Sequence, residues 1–427
     1  MSRVARFDTV DLRIPRSQRP SGTGAPDAGY SAAYLTLETD TGEHGTAFVS
    51  TDGSRTDVLV VAIDALAPFV LDRDVDQVAG DLGGFSRSLL HDSQLRWLGP
   101  EQGVLHIAMG VVINAVWDLA ARRAGQPLWE LLSAMSVDQI VDLVDFRYLT
   151  EAITPIDAAD LLEEALPGRA ARAEELRAQG YPACTAEPGW LGHPDETLVR
   201  LAEEAVAAGF EQITVEVGED LANDRRRLRL LRDTVGPLIP IALNAGQRWD
   251  VSGGSEWIRE LKEFDPCWIE EPTSPDDVLG HAAIRRNVTP IRIATGESVH
   301  NRIVFKQLLQ ANAVDVLRMD ATRVAGINEM IAVLLLAAHY RVPVRPRPGG
   351  VGFPELALHL AMFDNIAVSG TLDGRMLEYT ANPHGHLVEP ALVRDGAYQV
   401  PRAPGCASRI HDEILSRFHR RPRWGAP

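Results

Sequence analysis

The sequence predicts an α/β protein: a closed, TIM-like (β/α) barrel preceded by a smaller α+β unit. Three observations carry that prediction. From about residue 141, short apolar runs alternate with helix-period segments, the pattern of a parallel sheet with right-handed crossovers. The first 140 or so residues lack that alternation. The chain has 427 residues, whereas a (β/α) barrel needs about 250, so room remains for a second unit.

In the first unit, YSAAYLTLETD and HGTAFVS alternate apolar and polar residues as half-buried antiparallel strands do, with TDTGEHG as their turn. VLVVAIDALAPFVL, DQVAGDLGGFSRSLL and VLHIAMGVVINAVWDLAARRAG follow as helices. A Gly-, Pro- and Ser-rich loop over about residues 16–30, ending PDAGY, has the length and composition of a lid. In the second unit VDLVDFRYL is predicted as a strand, followed by DAADLLEEA and AARAEELRAQG as helix. QITVEVG, IPIALNAG, PCWIEEP, VTPIRIATGE, VDVLRMD, VPVRPRPGG and a last segment near RMLEY are further strands, with helical segments between them. No GxGxxG or GxxxxGK[ST] opens a helix, which favours a closed barrel over doubly wound nucleotide-binding domains. The expected division is 1–140, 141–380 and a C-terminal segment 381–427 that packs on the first unit.

Composition narrows the function. A net charge of −17 argues against nucleic-acid or anionic-membrane partners, which need a local Lys/Arg excess. Cys184, Cys267 and Cys406 form neither a disulfide framework nor close zinc-site pairs. The N-terminus lacks a signal-peptide core, and the apolar run near IAVLLLAAHY is too short to span a bilayer, so a cytoplasmic location is expected.

Reactive groups of a (β/α) barrel sit at the C-terminal strand ends. Here those positions hold Glu216, Asn244, Glu270 with Glu271, Glu297, Asp320, Arg347 and Glu378, each after an apolar run. One such residue is as readily a rim ion pair as a functional group. A polar residue at the same point of seven successive units is harder to assign to chance. Asn244, Glu270 and Glu297 fall on three consecutive strands, 26 and 27 residues apart, and could offer three oxygens to a hard cation such as Mg²⁺.

At these residues the sequence resembles a known family. PCWIEEPTSPDDVLGHAAIR, IATGE with NRIVFKQLLQANAVDVLRMDATRVAGINE, PGGVG with LALHLAMFD, and DSQLRWLGPEQGVLHIAMGVVINAVWDLAAR are similar to the enolase superfamily, and within it to L-fuconate dehydratases of the acid-sugar dehydratase branch. The likeness spans nearly the whole chain. It implies an α+β capping domain on a modified (β/α)7β barrel, a homo-oligomer, and Mg²⁺-assisted removal of a proton α to a sugar-acid carboxylate, followed by loss of the β-hydroxyl.

By the same resemblance, the family's Lys-x-Lys falls on Thr214, Val215 and Glu216. Its first metal-ligand Asp falls on Asn244, and the His that pairs with Asp320 falls on Arg347. The metal-ligand acids Glu270 and Glu297, and the late acid Glu378, keep their places. Arginine stays protonated and cannot serve as the base that histidine would be. Asn244 removes one negative charge from the metal site. Glu216 is left as a base or as an added acidic group, beside Asp320, Arg347 and Glu378 as catalytic candidates.

Strand periodicity puts Arg318 on the side of Asp320 and Arg345 on that of Arg347. Facing the mouth, these guanidiniums would clamp a substrate carboxylate; facing inward, they would form ion pairs. Tyr30 and Trp190 are aromatic candidates for substrate contact, with packing as the plain alternative. His359 reads as a packed helix residue, and His281 and His300 as surface histidines, His300 being the nearest remaining proton carrier. The expected activity is lyase-like, on a small hydroxy-carboxylate, with ordinary L-fuconate dehydration weak or absent. The alternative is an inactive or repurposed homologue that binds a carboxylate ligand or a partner without metal.

Overall fold

A computed structural model describes residues 2–14, 30–51, 55–347, 354–379, 386–406 and 409–420. The first strands form an antiparallel sheet of β1 (Val4–Ile14), β2 (Tyr30–Thr39) and β3 (His44–Thr51). Ala33, Leu35 and Leu37 of β2 bury one face of this sheet in the main core. Ala32 and Tyr34, alternating with them, bury the other face under Leu387 and Ile410 of the C-terminal segment. Ile410 N–H also donates to the Tyr34 hydroxyl at 3.3 Å.

The Gly103–Arg123 helix lies against this sheet. It is long and apolar enough to cross a membrane, whereas the sequence analysis weighed only the run near Ile331–Tyr340 for that role. In the structure it is a core helix, with an unbroken buried run from Ala108 to Ala121. Its close approach to β3 depends on Gly45, where a Cβ would meet the Ala115 carbonyl oxygen at 2.3 Å.

The second sheet closes into a barrel. Its parallel staves are β4 (Tyr181–Gly189), β5 (Ile213–Glu216), β6 (Ile241–Asn244), β7 (Trp268–Glu270), β8 (Ile293–Thr295) and β9 (Val316–Leu317). A seventh stave, residues 344–347, joins β9 through the bridges Leu317–Val344 and Asp320–Arg347. The eighth, β10 (Leu377–Tyr379), pairs back onto β4. One helix follows each of the first seven staves: Asp195–Ala207, Leu221–Val235, Val251–Glu260, Val278–Val288, Arg302–Gln310, Gly326–His339 and Pro354–Phe363. This is a (β/α)7β barrel carrying an α+β capping domain.

The first stave corrects the sequence reading. Residues 143–149 of VDLVDFRYL form no strand, and the Val137–Asp142 helix ends within the segment. The barrel opens instead on YPACTAEPG, whose Pro182 and Pro188 mask its strand character. The C-terminal segment supplies β11 (Val393–Arg394) and β12 (Ala397–Tyr398), a hairpin antiparallel to the start of β4, and β13 (His419–Arg420) on the edge of β1.

Candidate active site

The barrel lumen fills in layers. Ala242, Trp268, Ala294 and Val316 form a small buried apolar cluster, one residue from each of β6 to β9. Three alanine- or valine-sized side chains leave space, and the Trp268 indole occupies it. Two residues further along each strand point the same way, placing Asn244, Glu270 and Arg318 above that layer. The register pairs Glu216 with Asn244 and Asn244 with Glu270 on neighbouring strands.

Each acidic group there is met by a donor of this chain. The Trp268 Nε1–H donates to Glu270 Oε1 at 2.8 Å. Arg318, 1% exposed, donates through Nη2 to Glu378 Oε2 at 2.6 Å and brings its Nε to 3.6 Å from Glu270 Oε1. Burial pushes the Glu270 carboxyl up while Arg318 pulls it down. Burial disfavours the Arg318 cation, but Glu270 and Glu378 outweigh that and keep it charged.

At the mouth, the Arg347 Nη1 lies directly against Glu297 Oε1, and that carboxylate is the main cause holding the half-buried Arg347 protonated. Glu297 reaches this position through Gly296, at φ +130, where a Cβ would meet the Arg318 carbonyl oxygen at 2.3 Å.

The remaining candidates take distinct places. Glu216 is half-buried on β5 and accepts the Leu191 N–H at 3.1 Å through Oε2; Oε1 has no protein partner among the described residues. Arg227 fixes this corner, donating to the Gly189, Trp190 and Glu216 carbonyls at 2.7, 2.6 and 2.8 Å, and so holds Trp190 at the C-terminal end of β4. Asp320 is buried and accepts both the Thr322 N–H and hydroxyl; burial pushes its pKa up. Tyr30 begins β2, but its side chain, residues 16–29 of the proposed lid and the PGGVG segment lie outside the described residues.

Arg345 departs from the mouth placement. Its guanidinium lies 4.4 Å from the Trp268 ring centroid and donates to the Gly374 carbonyl and Gln212 Oε1, both at 2.7 Å, at the opposite end of the lumen. Only Pro346 separates Arg345 from Arg347, and an arginine stem reaches back along the strand as readily as forward. His281 is buried rather than on the surface; its ring Nδ1 lies 2.9 Å from the Asp277 carbonyl. His300 is half-buried, and burial lowers its pKa. His359 is buried, accepts the Trp129 N–H at 3.2 Å, and is held by burial at about 3.

Sequence reasoning did not single out Trp268, and it named Glu271 only as the strand-end neighbour of Glu270, without a role. Glu271, at φ +47, turns toward β8, where it accepts the Thr295 hydroxyl, the Gly296 N–H and the Gln247 side-chain N–H at 2.6, 2.9 and 2.9 Å. Burial and the nearby Glu297 push its carboxyl up to about 7. Its place beside Glu270 in the sequence was visible, whereas the left-handed backbone that aims it was not.

Each of the three predicted metal ligands already has a partner within this chain, while Glu270 Oε2 and Glu297 Oε2 are buried without a hydrogen-bond partner among the described residues. Asn244 Oδ1 accepts the Gly246 N–H at 2.8 Å, Glu270 is held by Trp268 and Arg318, and Glu297 carries Arg347. Arg318 and Arg347 bring guanidinium charge to Glu270 and Glu297. Among the described residues, no group of three His, Cys, Asp or Glu side chains could hold a metal ion.

Residues 26–133 match the mandelate racemase / muconate lactonizing enzyme N-terminal domain, and residues 197–414 match the enolase C-terminal domain-like family. The chain belongs to the enolase superfamily. The crystal structure of human mitochondrial enolase superfamily member 1 superposes with a TM-score of 0.95 at 43% identity, covering 98% of this chain and 96% of that one. L-Galactonate dehydratase of Hypocrea jecorina is 40% identical over 97% of this chain and 93% of its own length. L-Talarate dehydratase from Polaromonas sp. JS666, solved with Mg and L-glucarate, shares the fold at a TM-score of 0.74, 22% identity, and coverage of 99% and 98%. Within the superfamily the chain is related to acid-sugar dehydratases.

Proposed function

We propose that this protein binds a small hydroxy-carboxylate of the sugar-acid class at the barrel mouth and removes the proton α to its carboxylate without a divalent cation. The observation that carries the proposal is Arg347 against Glu297: a permanent, half-exposed cation at the strand-end rim. Its remaining N–H donors can take a substrate carboxylate in the forked geometry that guanidinium favours. Removing the α-proton breaks the C–H bond and moves its electron pair toward that carboxylate, giving an enediolate. Arg347 donors stabilise this added charge where it develops. Glu216 is the base, because it is half-exposed at the mouth and its Oε1 is uncommitted among the described residues. Loss of a β-hydroxyl needs an acid on the leaving oxygen. Glu378 is tied to Arg318, so dehydration of L-fuconate is slow or absent while α-proton exchange proceeds.

The test is ¹H NMR of L-galactonate and L-fuconate in D₂O with EDTA present. The α-proton signal should fade with the wild type and persist with Glu216→Gln, while Arg347→Ala weakens binding. Exchange that requires Mg²⁺ would overturn the metal-free route. Saturable binding without exchange would favour a binding protein instead.

A further inference from the structure

We propose that the opposite, N-terminal face of the barrel carries a second site, for a small anion bearing two or more oxyanion groups. A cleft of about 670 Å³ opens there among the residues that precede β8, the 344–347 stave and β10. It is lined by Arg172, Arg292, Arg341 and Arg375, against Glu164 and Asp373.

These arginines differ in what already occupies them. Arg375 is paired with the buried Asp364 at 2.7 Å. Arg172 spends its donors on the Ala165, Pro167 and Ile366 carbonyls near helix ends, a capping role that accounts for it without a ligand. Arg292 and Arg341 have no such account. Both are exposed, and neither makes an ion pair among the described residues. Arg292 lies over the Trp268 ring at 5.6 Å and donates from Nε to the Cys267 carbonyl at 3.1 Å, which leaves its two terminal nitrogens without a hydrogen-bond partner among the described residues.

The wall behind them adds to the same sign. Arg345 is 5% exposed, has no carboxylate partner, and donates to the carbonyl of Gly374, itself a lining residue. With Arg375 offset by Asp364, the cleft is lined by the positive charges of Arg172, Arg292 and Arg341 against two carboxylates, with buried Arg345 behind the wall. A positive excess in a concave, low-dielectric setting focuses field on the opening. It stands out on a chain whose formal charge is −17. Two forked guanidiniums suit phosphate or carboxylate oxygens, and the volume admits a metabolite-sized molecule rather than a lone ion.

The experiment is isothermal titration at constant ionic strength with pyrophosphate in one arm and citrate in the other. It compares wild type, the R292Q/R341Q double variant and the mouth variant R347Q. Wild type should bind at least one probe. The double variant should bind it about tenfold or more weakly, since each lost charge-assisted hydrogen bond is worth that order. R347Q should retain the binding component that the double variant loses, and lose at most a separate component of citrate binding at the mouth. Binding of pyrophosphate alone assigns a phosphate-bearing ligand, and binding of citrate alone a polycarboxylate. Both replaced side chains are exposed, so an unchanged melting temperature without probe shows that the double variant folds. The proposal is overturned if neither probe binds, if the double variant binds like wild type, or if R347Q alone removes binding.

Discussion

A guanidinium and a dication place charge on a carboxylate differently, and Glu297 and Glu270 show the consequence. Arg347 neutralises one carboxylate at the rim, and Arg318 neutralises two deeper ones, Glu270 and Glu378. Restoring a metal site therefore takes more than the three positions at which the family's pattern is broken. In the triple variant Glu216→Lys, Asn244→Asp, Arg347→His, Arg318 still occupies Glu270. We expect that triple to show no calorimetric Mg²⁺ binding, and the addition of Arg318→Met to create it. Tight binding by the triple alone would show that Arg318 yields to the ion. Trp268→Phe keeps most of the lumen's packing but removes the donor to Glu270 Oε1. It should cost about 1–3 kcal/mol, the usual penalty for stranding a buried acceptor. Urea unfolding would show this as a lower midpoint at an unchanged slope.

Between elements, the capping domain is tied to the barrel by buried charge. Arg302, first residue of its helix after β8, binds Glu101 at 2.5 Å, Asp145 at 2.9 Å and Glu329 at 3.2 Å. His106, on the Gly103–Arg123 helix, reaches the other Glu329 oxygen at 2.8 Å. Burial pushes the Glu329 carboxyl up, but His106 and Arg302 outweigh it and hold it at about 2. A depressed carboxylate pKa contributes stability above the unfolded value and loses it as pH falls through the folded one. The domain contact should accordingly lose roughly 3 kcal/mol between about pH 4.5 and pH 2. Glu329→Gln should flatten the stability–pH curve in that window. An unchanged curve would remove Glu329 from the account.

For the molecule as a whole, the guanidinium reading makes stability indifferent to divalent ions. A ligand that binds only the folded state raises the melting temperature with its concentration. Mg²⁺ at millimolar levels and EDTA should therefore leave the melting temperature unchanged. L-Galactonate should raise it equally in either, and a shift seen only with Mg²⁺ would contradict the metal-free site.

The barrel was legible because strand and helix periodicities are local properties. Strand ends could be counted along the chain, which placed Glu216, Asn244, Glu270, Glu297, Asp320, Arg347 and Glu378 at one end before any coordinates. The first stave was not legible, since two prolines disguise Tyr181–Gly189 and the apolar run at 141–149 imitates a strand. The alternation of two also shows which residues enter the lumen, but not how far along the barrel axis a long side chain reaches. So Arg318, Arg345 and Arg347, equivalent by periodicity, divide among Glu378 with Glu270, the Trp268 face and Glu297. The sequence determined the fold, the family and the order of polar residues along the strand ends. Only the tertiary structure decided which partner each arginine takes, because that depends on distances across the lumen between residues far apart in the chain.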